Sequence, residues 1–177
     1  MSGLPYVWGA RPDEVARRYP ADGLLSGPTI AMTRAVPVAA PVDTTWRWLC
    51  QIAVAPYSYD LLDNRGRRSP RELTPGADRL EVGQVIGVVW HLVEAVPGRQ
   101  WTGLTHASAE RLFGPVAVTY AAEPDGRDGV GSRIVCRLVV PAATRADRLR
   151  AGALGWGDLV MRRKQLLTLA RLAGASH

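Results

Sequence analysis

Polar and apolar positions alternate most cleanly in GSRIVCRLVVP (131–141). Ile134, Cys136, Leu138 and Val140 fall on one side, Arg133 and Arg137 on the other. A two-residue period sends successive side chains to opposite faces of a strand, so this segment predicts a sheet with one buried and one wet face. VIGVVWHLVEAV (85–96) reads as a single long strand ended by Pro97-Gly98, and RQWTGLTHA as its hairpin partner. On the first of these, His91 is out of phase with Val88, Trp90 and Leu92, which sends it towards solvent if the even set faces a cavity. FGPVAVTYAA (113–122) predicts a third strand, and EPDGRDGVG is the longest turn signal in the chain. TIAMTRAVPV (29–38) is also extended, and the proline near its end marks it as an edge strand.

Helical spacing appears in two longer places. In PVDTTWRWLCQI, Trp46, Leu49, Cys50 and Ala53 share a face behind Pro41, with Asp43 or Thr44 as cap. ALGWGDLVMRRKQLLTLARLA (153–173) predicts the longest helix. At about 100° per residue, Trp156, Leu159, Val160, Leu166, Leu167 and Ala170 form one apolar stripe with Arg163 in its middle. A charge on an apolar face needs a partner, because an isolated buried charge is very costly. Asp60, Asp63 and Asp158 are the candidate carboxylates; the other reading turns Arg163 towards a ligand. A short helical stretch, PDEVARRY, precedes all of this, with Asp13 as a possible cap.

The order is strand, short helix, irregular segment, several antiparallel strands and a long helix. Only that last helix is large enough to cover an open sheet, which predicts an α+β domain. A curved antiparallel sheet around one helix leaves a cavity of roughly 300–1,000 Å³ suited to an apolar small molecule. Residues 1–28, rich in Pro and Gly, form an N-terminal extension packed on a single domain of 29–177.

Composition narrows the function. At 177 residues and 47% hydrophobic, the chain fits one domain with a sizeable core. No apolar run is long enough to span a bilayer and the N-terminus does not read as a signal peptide, so a cytoplasmic protein without a membrane association is expected. Of the 22 basic residues all but Lys164 are arginine, scattered among acids; no basic stripe with interleaved aromatics occurs, and no nucleic-acid partner is expected. A homodimer is left open. Cys50 and Cys136 sit in apolar strings and read as buried free thiols. There is no P-loop, no G-x-G-x-x-G and no G-x-S-x-G, and His91, His106 and His177 are far apart. Neither a metal nor another cofactor is expected.

What remains is acid–base chemistry in a dry cavity. APYSYDLLDNRGRRS (55–69) packs Tyr57, Tyr59, Asp60 and Asp63 beside three arginines, and such a mixture lines either a pocket mouth or an ion-pair knot. Tyr120 adds a phenol on the sheet; His106 lies near a strand end where the alternation is ambiguous; Asp158 and Arg163 are on the long helix.

RAVPVAAPVDTTWRWLCQI, APYSYDLLDNRGRRSPRELTPG, LEVGQ, FGPVAVTY and GDLVMRRKQLLTLARLAG, spread over about 19–173, resemble the SRPBCC, or START-like, superfamily, in particular a bacterial branch of polyketide cyclase/dehydrase-like proteins. Within that resemblance Leu61 stands where such chains often carry Trp, and Ala21 where they often carry Cys. The resemblance implies a helix-grip fold and a hydrophobic or polyketide-like small molecule as ligand. It implies a metal-free cyclase, aromatase or dehydratase, or else a non-catalytic lipid or isoprenoid carrier. The catalytic candidates are then Tyr57, Tyr59, Asp60, His106 and Tyr120. The ligand-binding candidates are Trp46, Asp63, Trp90, Trp101, Trp156 and Arg163.

Overall fold

The computed structural model describes residues 3–59, 68–87, 89–126 and 131–176. It is α+β, with the helix-grip arrangement expected from the sequence: a seven-stranded sheet and a long C-terminal helix. The strands are β1 (Val7–Trp8), β2 (Thr29–Val38), β3 (Val85–Ile86), β4 (Trp90–Val96), β5 (Gln100–Thr105), β6 (Ala117–Pro124) and β7 (Ser132–Pro141). Among the described residues the α-helices are α1 (Pro12–Ala16), α2 (Val42–Cys50), α3 (Ala107–Phe113) and α4 (Arg145–Ala175). The sheet order is β1-β2-β7-β6-β5-β4-β3, antiparallel throughout except where β1 runs parallel to β2.

Four local expectations change. The strand at 29–38 is not at the edge, because β1 pairs with its Thr33 and Arg34; Pro37 lies beyond that short pairing, where its missing N–H costs nothing on the β1 side. The segment 85–96 is a tight hairpin and not one strand. The chain reverses at Gly87, whose φ of +59° is a left-handed conformation that favours glycine, and β3 returns along β4. Residues before β6 form α3, capped by His106, whose Nδ1 accepts from the Ser108 N–H. Helix α2 is entered at Pro41, without a side-chain cap from Asp43 or Thr44.

Both long helices pack on the concave face. Met32, Val36, Trp101, Tyr120, Ile134 and Leu138 point there, against Trp48 and Leu49 of α2 and Leu166 and Leu169 of α4. The opposite face of β7 is not wet. Residues 11–22 cross it and bury it: Tyr19 packs on Ala35, Ala121 and Val135, and Ala21 on Ala117 and Val139. Arg133 and Arg137 are therefore buried. Arg133 makes a two-pronged pair with Glu14 of α1, and its Nη2 donates to the Gly9 carbonyl at 3.0 Å. Arg137 donates to Asp22 at 2.9 Å and to the Thr33 hydroxyl at 2.6 Å, and also reaches the carbonyls of Val15 and Arg17.

Alternation alone could not show this cover, since the N-terminal segment has no strong period of its own. Breaking a buried pair leaves one charge uncompensated, at about 3–5 kcal/mol. Glu14→Gln should therefore lower unfolding stability by about that amount in a urea titration. An unchanged midpoint would show that the N-terminal cover contributes nothing through this pair.

Candidate functional site

Helix α4 begins eight residues earlier than its apolar pattern suggests. Thr144 accepts from the Asp147 N–H at 3.0 Å and Asp147 accepts from the Thr144 N–H at 2.9 Å, a reciprocal cap. The backbone N–H of Thr144, and then its hydroxyl, hold the Asp147 carboxyl below its ordinary range. The TRAD string was the available signal; the two polar turns after it hid the helix.

The buried face of α4 matches the apolar stripe only in part: Leu159 and Leu166 are buried as expected. Trp156, Val160 and Leu167 are exposed, and the inward positions are Ala151, Gly155, Asp158, Arg162, Gln165, Leu166 and Leu169. Small residues set this rotation. A Cβ at Gly155 would crowd Pro5 at 3.2 Å and touch Met32 at 3.6 Å, so glycine eases the close approach of α4 to Pro5.

That rotation brings polar groups together under the helix. Arg34 is fully buried on β2; its Nη1 donates to the Tyr6 carbonyl at 2.7 Å and its Nη2 to the Gly155 carbonyl at 3.3 Å. Nη2 also lies 3.4 Å from Asp158 Oδ2. Asp158 Oδ1 accepts from Arg162 Nε at 3.2 Å and Nη2 at 3.0 Å. Arg162 Nη1 donates to Gln165 Oε1 at 2.9 Å, the Tyr120 hydroxyl donates to the same oxygen, and Gln165 Nε2 donates to the Pro56 carbonyl at 2.6 Å. The Arg162 guanidinium lies 5.1 Å from the Tyr120 ring centroid, and that ring stacks on Trp101 at 4.6 Å. Burial pushes the Asp158 carboxyl up to about 6, against the pull of Arg34. Burial, reinforced by the like charge of Arg34, brings Arg162 down to about 9.

Asp158 and Arg162 form part of the wall of a cleft of about 400 Å³ between α4 and the β4–β5 end of the sheet. Its other walls are apolar, chiefly Val89, Trp90, Phe113, Val116, Leu138, Leu154 and Met161. A smaller hollow of about 150 Å³ continues past Trp90 and Met161 to Pro56 and Gln165. A groove of about 490 Å³ lies on another side of α4, between Tyr59, Leu159, Val160, Leu167 and the basic Arg163, Lys164 and Arg171. The cleft is the candidate site, because apolar walls converge there on buried polar groups.

The sequence candidates are distributed around this site. Trp90 lines the cleft. Tyr120 and Trp101 lie beneath Arg162 in the core, and Trp101 Nε1 donates to the Leu49 carbonyl at 3.3 Å. Trp46 is buried on α2. Tyr57 is buried edge-on to Trp48, with φ +57°, and borders a separate hollow with Ser69 and Arg71. Tyr59 borders the outer groove; His106 caps α3 outside the cleft wall; Trp156 is 55% exposed. Arg163 is exposed and its guanidinium lies 5.7 Å from the Trp8 ring centroid. Of the carboxylates expected to pair with Arg163 (Asp60, Asp63 or Asp158), Asp158 pairs instead with Arg162, one position earlier. Asp60 and Asp63 lie outside the described residues. Cys50 and Cys136 are free and buried, and burial raises both thiols.

Sequence reasoning missed Arg34, Arg162 and Gln165. The i,i+4 spacing of Asp158 and Arg162 and the lone charge of Arg34 in TIAMTRAVPV were the available signals.

No protein-family model matches the sequence, and no curated protein matches it. Solved structures do match. A solution structure from Thermobifida fusca has TM-score 0.56 at 17% identity, covering 82% of this chain and 93% of that one. A crystal structure from Mesorhizobium loti has TM-score 0.50 at 15% identity, covering 82% and 98%. The Zhui aromatase/cyclase of a Streptomyces species has TM-score 0.46 at 15% identity, covering 82% and 94%. The first two matches agree with the helix-grip fold described above. At these identities the likeness concerns the fold alone. No helix among the described residues is long and apolar enough to cross a membrane.

The raised Asp158 carboxyl has a consequence for stability. In the unfolded chain such a group ionises near 4 (roughly). The folded state therefore holds the extra proton between about pH 4 and about 6, and this contribution is lost as pH rises through that window. The stability difference between wild type and Asp158→Asn should thus shrink from about pH 4 to about pH 6 and stay flat above, in urea titrations across that range. A difference that instead grows with pH would mean that the two arginines outweigh burial at Asp158.

Proposed function

We propose that this protein binds a hydrophobic small molecule in the cleft between α4 and the sheet, and that its reaction is metal-free cyclisation, aromatisation or dehydration of a polyketide-like chain in the cytoplasm. The carrying observation is the cleft of about 400 Å³, with apolar walls ending on Asp158 and Arg162. Apolar walls fold and desolvate a chain, and a positioned acid–base group moves its protons. A carboxyl that titrates near 6 can take a proton from a carbon between two carbonyls and return it to the oxygen that develops on ring closure. Arg162 is placed to stabilise that oxygen while charge builds on it.

A non-catalytic carrier is the second reading, favoured by one observation. Asp158 is held between two guanidinium groups and the Tyr120 hydroxyl is engaged by Gln165, so the acid–base groups beside the cleft already have partners.

Native mass spectrometry of the purified protein should reveal a co-purifying apolar compound, and incubation with it separates the readings: a product mass supports the enzyme, an unchanged mass the carrier. Gly157 gives a sharper test of the site. It lines the cleft, and a Cβ built there meets nothing within 4 Å. Gly157→Leu should raise stability by up to about 1 kcal/mol, as expected for replacing a helical glycine. The same change should abolish uptake of the neutral dye N-phenylnaphthylamine by filling the cleft. Undiminished dye binding in a folded variant would remove the cleft as the ligand site.

A further inference from the structure

The charges beneath α4 do not balance. Arg34 and Arg162 share one carboxylate, Asp158, whose two oxygens face one arginine each. The other acceptors around them, the carbonyls of Tyr6 and Gly155 and the Gln165 amide, are neutral. No second carboxylate among the described residues pairs with either guanidinium. The cluster therefore carries one uncompensated positive charge. The side chains of Arg34, Asp158 and Arg162 are 0%, 8% and 11% exposed, and an unpaired charge at such depth is costly.

Arg34 Nε is buried without an acceptor, and Arg162 has donors to spare beside the cleft. A guanidinium has five N–H groups. Nε and Nη2 each spend one on Asp158, and Nη1 spends one on Gln165. Two remain, one on each terminal nitrogen, on a side chain that lines the cleft. The Tyr120 ring lies against the guanidinium, which leaves an edge-on approach from the cleft. An oxyanion meeting that edge would gain two charge-assisted hydrogen bonds and neutralise the excess charge. Val89, Phe113, Leu138, Leu154 and Met161 around it offer apolar contact, so the body of the ligand is mainly apolar.

We infer that the ligand of this cleft is an apolar organic acid of one negative charge, whose oxyanion docks on the two free N–H groups of Arg162. The inference rests on the cleft being the ligand site proposed above, and it adds the charge and orientation of what enters. The apolar body would extend along Met161 and Trp90 towards the mouth, with the acid group innermost.

Two dyes that share an aromatic body test it by fluorescence titration: anilinonaphthalene sulfonate, a monoanion, and neutral N-phenylnaphthylamine. Wild type should bind the sulfonate about ten- to a hundredfold more tightly, as expected for hydrogen bonds to a charged group. Arg162→Met should erase that preference and leave the neutral dye bound as before. Arg162→Lys keeps the charge and loses the fork, and should retain only a few-fold preference; its circular dichroism and that of Arg162→Met report whether the fold survives. Should Arg162→Met fail to fold, the lysine variant carries the test alone, and an undiminished preference there overturns the inference. Arg171→Gln, in the outer groove, should change neither dye. If it removes the sulfonate preference as Arg162→Met does, the anion sits outside the cleft and the inference falls. Equal binding of both dyes by wild type overturns the anion inference and leaves the apolar cleft standing. Binding of neither dye defeats the cleft itself.

Discussion

Buried arginine is the constraint on which the rest of this structure depends. Arg34 projects from β2 on the concave face, where Arg162 comes down beside it from α4, and Arg133 and Arg137 project from the opposite face of the adjacent β7. A guanidinium cannot shed its charge as a carboxyl or imidazole can, so each must be met by hydrogen bonds and counter-charge where it lies. On the convex face this requirement fixes the N-terminal segment. Glu14 and Asp22 are the carboxylates that Arg133 and Arg137 need, and the backbone carbonyls of Gly9, Val15 and Arg17 complete the set. A stretch with little regular structure is thereby held across the sheet and covers a second apolar layer.

On the concave face the same requirement governs the long helix. Arg34 takes the Gly155 carbonyl and approaches Asp158, and Asp158 in turn orients Arg162. The absence of a side chain at Gly155 also avoids crowding Pro5. Trp156, Val160 and Leu167 are left outside as the cost of this seating, and the polar edge of the helix is turned in. The cleft exists because that polar edge does not fill the space next to Trp90 and Leu138 as large apolar side chains would.

The sheet was largely legible from the sequence because strand alternation is a local property. Ile134, Cys136, Leu138 and Val140 sit on the concave face as their spacing implied, and the β4–β5 hairpin turns at Pro97-Gly98. Errors came where a local signal had two geometric solutions. Gly87 could continue a strand or reverse it, and only the pairing of Val85 with His91 decides. Arg133 and Arg137 look solvated on any alternating strand, and only a segment more than a hundred residues away in sequence buries them. For α4 the period was right and the phase held only in part: Leu159 and Leu166 are buried as their spacing implied, but ranking faces by hydrophobicity favours Trp156, Val160 and Leu167 over Ala151 and Gly155.

The candidate site was legible only in kind. A cavity between sheet and helix followed from the element order, and Trp90 from its strand phase. The YSYD string drew attention through composition, yet Tyr57 and Tyr59 point to different hollows, since a left-handed residue at Tyr57 turns the chain there. By itself the sequence determined the longer strands, α2 and most of α4, and from their order an antiparallel sheet covered by one long helix, because hydrophobic period and turn residues act over a few positions. The tertiary structure decided which face of α4 is buried, that the N-terminal segment closes the outer face, and that two arginines share one aspartate beside the cleft. Those outcomes depend on charge compensation and close packing between residues far apart in the chain, which no local pattern encodes.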